Sequence, residues 1–151
     1  MTRRRLRIPR VRVSEVPGLC AALLVAAVVE VGLRTTTLPR LARALGTPLA
    51  VDGFEVYAEQ ADAVLLPRWA VQRMHAARRV LRHWPFGDTC LRQALVCGWL
   101  VRRLRPALQL GVAKVDGEVR AHAWLVVSGT VVDPRRAVSS YQPLASVRAA
   151  R

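Results

Sequence analysis

The sequence predicts an α+β domain in which a helical N-terminal half precedes a small antiparallel sheet. Three observations carry that prediction. Apolar residues recur at helical spacing through the first two thirds of the chain, and the period then changes to that of strands. The strand-like segments are joined by Asp116-Gly117 and Ser128-Gly129, both suited to two-residue hairpin turns. Between the two regimes Trp84-Pro85-Phe86-Gly87 is a firm break, and a cysteine follows where the next helix should start.

A chain of 151 residues with 52% apolar content can fold as one domain, 1–151, without metal or disulfide support. It reads as a basic, frayed N-terminus at 1–13, a helical part at 14–83 and a core at 84–151 that carries the candidate chemistry. The three cysteines, Cys20, Cys90 and Cys97, form no C-x-x-C pair, so neither a zinc knuckle nor a dithiol redox site is expected. Cys90 and Cys97 on one helix would lie about 10 Å apart, too far to bridge. No metal and no cofactor is implied, and a reducing, cytoplasmic setting is expected. The net charge of +14 comes almost wholly from arginine, Lys114 being the single lysine. Such a surface favours an acidic partner, anionic lipid or nucleic acid.

Ser14 can cap a first helix with Pro17 in its first turn, ending near Leu33 before Thr35-Thr36-Thr37. Its apolar run, 18–29, has twelve residues, short of the roughly 20 that cross a bilayer. It reads as a buried helix, with interfacial membrane contact the less favoured reading. Thr37 can cap a short second helix that stops at Gly46. Residues 47–60 are irregular or briefly extended, with V-D-G-F as a turn. A third helix should run from about Asp62 to His83, kinked or restarted at Pro67, with Leu66, Ala70, Met74, Ala77 and Leu81 on its inner face. Asp88 or Thr89 then caps a fourth helix with Cys90 in its first turn, ending near Arg105-Pro106. Strands follow at 107–115, 118–127 and 130–133, with an edge segment around Tyr141.

The candidate catalytic residues are Cys90, His122 and Asp133, in the order nucleophile, base, orienting residue. A cysteine attacks as its thiolate, and the positive end of a helix favours that form. The free N–H groups of the same turn can stabilise an oxyanion. Histidine can accept the thiol proton, and a carboxylate can hold the imidazole. If both hairpins have two-residue turns, Trp124 faces Asp133 and His122 lies diagonal to Asp133 on one face of the sheet. The same rule sets Gly111 opposite His122, leaving room for the helix end or a substrate backbone. Taken singly, each residue has a plainer role. Cys20 and Cys97, in apolar helical runs, read as small buried hydrophobes. His75 and His83 read as structural, with His83 the reserve base, and Asp133-Pro134 is ordinary turn chemistry.

The segments C-L-R-Q-A-L-V-C-G-W-L-V-R-R-L, L-Q-L-G-V, A-H-A-W-L-V-V-S-G and V-V-D-P together resemble the B2 proteins of lasso peptide biosynthesis. That family belongs to the transglutaminase-like, papain-related cysteine peptidases. The resemblance covers residues 86–134; the N-terminal half shares only its helical, arginine-rich character. It implies a transglutaminase/papain-like core with the nucleophile at a helix N-terminus packed on the sheet. It also implies a leader peptidase that cuts a ribosomally made precursor through an acyl-enzyme at Cys90, with His122 as general acid/base and Asp133 orienting it. The expected partners are the precursor peptide, a separate leader-binding protein, and the macrolactam-forming synthetase that acts next. Two other readings stand beside this one. The same triad could serve a transglutaminase-type acyltransferase. Alternatively, the chain could be a non-enzymatic basic module for nucleic acid or membrane; nucleic acid is not expected, because no recognition motif or aromatic platform stands out.

Overall fold

The computed structural model describes residues 15–50, 66–115, 117–133 and 142–143. Four helices, α1 (Val16–Thr35), α2 (Leu38–Ala44), α3 (Arg68–Leu81) and α4 (Cys90–Leu100), precede strands β1 (Ala107–Val115), β2 (Glu118–Val127), β3 (Thr130–Val132) and β4 (Gln142–Pro143). The sheet is antiparallel with strand order β3-β2-β1-β4.

The hairpin signals fix this sheet. Val115 pairs with Glu118 across one turn, and Val127 pairs with Thr130 across the other. Ser128 and Gly129 both have positive φ, 49° and 80°, as a tight hairpin with the native strand twist requires. β4 pairs with β1 one and two residues beyond the expected edge position at Tyr141, which itself lies outside the described residues.

Helices and sheet share one core. α3 turns Ala70, Met74, Ala77 and Leu81 inward, as its period predicts. Leu95, Val96 and Cys97 of α4 meet Leu108 of β1 and Ala123, Leu125 and Val127 of β2 in the same cluster. Gly98 lets α4 approach closely: a Cβ there would fall on the Thr47 Cγ2 methyl and 3.3 Å from Leu125 Cδ2. The last turn of α4 carries no basic residue of its own, and the Arg73 guanidinium of α3 donates to the Leu100 carbonyl at 2.9 Å instead.

Several boundaries differ from expectation. α3 starts at Arg68 directly after Pro67, the expected point of restart, and ends at Leu81, two residues short of His83. α4 ends at Leu100, and a 3-10 turn over Arg102–Leu104 completes the span to Arg105. The expected Ser14 cap, the N-terminus 1–13, the V-D-G-F turn and the start near Asp62 lie outside the described residues.

The largest correction concerns α1. It has 20 residues and ends at Thr35, close to the expected end near Leu33, so its apolar length exceeds the twelve-residue run 18–29 set against the thickness of a bilayer. Glu30 does not stop it, because its carboxylate is held by Arg34 of the next turn and Arg92 of α4, at 2.9 and 2.8 Å. By length and composition α1 is therefore sufficient to cross a membrane, although one face packs on α3 and α4. Nor is it a buried helix all round. Ala22, Val25, Ala26 and Val29 are buried, whereas Leu23, Leu24, Val28 and Val31 face solvent. Cys20 lies on the exposed side, contrary to its reading as a buried hydrophobe; Cys97 is fully buried.

Candidate active site

Cys90 opens α4. Thr89 holds the extended N-cap backbone and its Oγ1 accepts from the Arg92 N–H at 3.3 Å. Asp88, the other candidate cap, instead accepts from Gln93 Nε2 at 2.6 Å. Arg92 extends the first turn to Glu30 of α1, so the helix start is tied to the N-terminal half by a buried carboxylate. The hydrogen bond from Arg92 is the largest effect and, with help from Arg34, holds the Glu30 carboxyl below its ordinary range against the upward pull of burial.

His122 and Asp133 meet as the hairpin register requires. Gly111 faces His122, Gln109 faces Trp124 and Leu125 faces Val132, so the next residue, Asp133, falls on the His122 face. His122 Nε2 and Asp133 Oδ2 are 3.1 Å apart, with side chains only 5% and 4% exposed. Trp124 stacks at a tilt of 31° beside the imidazole, ring centroids 5.8 Å apart, and is itself fully buried. The imidazole is thus fixed on one edge by a carboxylate and on one side by an indole.

Cys90 is placed by its helix rather than by a hydrogen bond to this pair. It is half-buried against the core. The body of α4 rests on Ala123, Leu125 and Val127, the alternate residues of β2 that face away from His122. Of the other thiols, Cys97 is shielded on the same helix, where burial pushes it up to about 12. His75 and His83 are exposed on or just after α3. Among the described residues, no cluster of His, Cys, Asp and Glu is suited to hold a metal.

Gln109 is a polar residue on the His122 face that composition and motif do not single out. It is 5% exposed and directly opposite Trp124, and its amide donates to the Leu110 carbonyl at 3.2 Å. Extending the first hairpin's register by one further pair on that face would have found it.

A cysteine at a helix start, followed by a buried His–Asp pair on an antiparallel sheet, is an arrangement compatible with thiol acyl transfer. The chain belongs to the transglutaminase-like superfamily, whose family model matches residues 23–146. That superfamily includes cysteine peptidases and acyltransferases. No curated protein and no solved structure matches the chain.

Proposed function

We propose that the protein is a cysteine peptidase that removes the leader from a ribosomally made lasso peptide precursor, working with a separate leader-binding protein. The observation that carries the chemistry is the buried pair of His122 on β2 and Asp133 just after β3, both following the helix-start Cys90. The substrate class rests on the resemblance of residues 86–134 to the B2 proteins.

The reaction follows from the arrangement. Asp133 engages Nε2, so proton exchange with the thiol falls to Nδ1 of His122. His122 takes the Cys90 proton as sulfur attacks the carbonyl of the last leader residue, and N–H groups at the α4 start face the developing oxyanion. The same imidazolium then protonates the departing amine of the core peptide, leaving a thioester on Cys90. Water attacks the thioester, His122 accepts its proton, and the leader leaves as a carboxylate while sulfur regains its resting form.

The test is to incubate the full chain with a precursor peptide and the leader-binding protein and to weigh the products. Released leader and core, absent with Cys90→Ala, support the peptidase. A mass gain from an added amine would identify an acyltransferase with the same site. Equal cleavage by wild type and Cys90→Ala refutes both.

A further inference from the structure

α1 is packed on one side only. Val16, Cys20, Leu23, Leu24, Val28 and Val31 recur at helical spacing along its outer face, and all are exposed, Leu24 by 68% and Val31 by 61%. The stripe is about 22 Å long, from the rise per residue. An outward helix face is ordinarily polar, whereas here the first charged side chain on it is Arg34 at the C-terminal end. A continuous apolar stripe of this kind marks a contact surface.

The charge around the stripe selects its occupant. Arg3, Arg4, Arg5, Arg7, Arg10 and Arg12 precede α1 in the sequence. Beside it, Arg79, Arg82 and His83 border a groove of about 520 Å³ whose apolar wall is Leu19, Leu23 and Val80. The two acids of the region are already engaged, Glu15 by Arg79 and Glu30 by Arg34 and Arg92. A second copy would bring another chain of net charge +14 against this face. An anionic lipid surface supplies both what the stripe and what the arginines need.

We infer that α1 seats the protein on an anionic membrane surface, lying in the interfacial plane with its outer stripe among the upper acyl chains. Headgroup phosphates then meet the flanking arginines. The helix lies on the bilayer rather than across it, because its inner face holds Ala22, Val25, Ala26 and Val29 in the core and Glu30 on Arg92. An apolar stripe or a basic cluster alone binds weakly and reversibly, and the two together give stable attachment.

Cosedimentation of the full chain with phosphatidylcholine vesicles, with and without phosphatidylglycerol, tests this. Binding should require phosphatidylglycerol, weaken with salt, and fall about tenfold or more in Leu24→Asp/Val28→Asp. Both positions are exposed, so that variant should keep its thermal midpoint. In a Cys90→Ala background, a polarity-sensitive dye on Cys20 should shift to the blue on anionic vesicles, Cys97 being buried. Equal binding to neutral vesicles, or binding unchanged in the double variant, overturns the proposal. Resistance to alkaline extraction would instead make α1 a span, and a lipid-free dimer dispersed by the double variant would assign the stripe to a second copy.

Discussion

Replacing Asp133 by asparagine should slow acyl-enzyme formation far more than it destabilises the fold. On the proposed mechanism the His122 ring gains a positive charge as the thiol proton is transferred to it, and Asp133 Oδ2, 3.1 Å from Nε2, is placed to stabilise that charge. Both side chains are about 5% exposed, so water does not screen it fully. At an effective dielectric near 20, two unit charges at that distance attract by about 5 kcal/mol. At roughly 1.4 kcal/mol per tenfold, this sets a ceiling of about four orders of magnitude on the rate. Asparagine keeps the shape and one hydrogen bond while removing the charge, so the expected loss in kcat is about 10²- to 10⁴-fold. Losing a charge-assisted hydrogen bond should cost only about 1–2 kcal/mol of stability, a few degrees in the thermal midpoint.

The assay is single-turnover release of the core peptide, followed by mass spectrometry, beside thermal unfolding of each variant. A double-mutant cycle with His122→Ala separates the pair from its surroundings. If Asp133 acts through the imidazole, Asp133→Asn costs nothing further once His122 is gone. A single variant within about threefold of wild type, or full additivity in the cycle, would refute the reasoning.

Gly98→Ala should destabilise the fold by about 1–3 kcal/mol, since its methyl lands on Thr47 Cγ2 and the Leu125 side chain stands close behind. Thr47→Ser, which removes that methyl, should recover part of the loss in denaturant midpoint. Alkylation at neutral pH followed by peptide mapping should modify Cys20 and Cys90 and spare Cys97, whose thiol is fully buried and raised to about 12. The Glu30 carboxyl is lowered by Arg92 first and Arg34 second, so its stabilising effect is present above the ordinary carboxylate value of 4.5 and is lost as pH falls through the lowered one. Thermal midpoints followed down through the acid range should therefore fall more steeply for wild type than for Glu30→Gln, and parallel curves would contradict this.

How far the sequence specifies this structure depends on the range of each signal. The β1–β2–β3 meander is legible almost residue for residue, because Asp116-Gly117 and Ser128-Gly129 pin the register and the period of two carries it outward. His122 and Asp133 inherit their meeting from that local rule, and so does Gln109. The start of α4 is equally local, since the Thr89 cap and the break before it fix Cys90 in the first turn. Glu30 is different: Arg34 is a local partner on the same helix, but its burial also depends on Arg92, 62 positions later, which no local pattern announces. The two faces of α1 fail for a related reason. Periodicity tells inside from outside by the contrast between apolar and polar residues, and 18–29 offers none. Tertiary packing alone decides that Val25 and Val29 go in while Leu24 and Val28 stay out. The absence of contrast is itself informative, because a helix packed on one side needs no apolar residues on the other. Leu23, Leu24, Val28 and Val31 are thus surplus to the core, which points to a second apolar environment for that face.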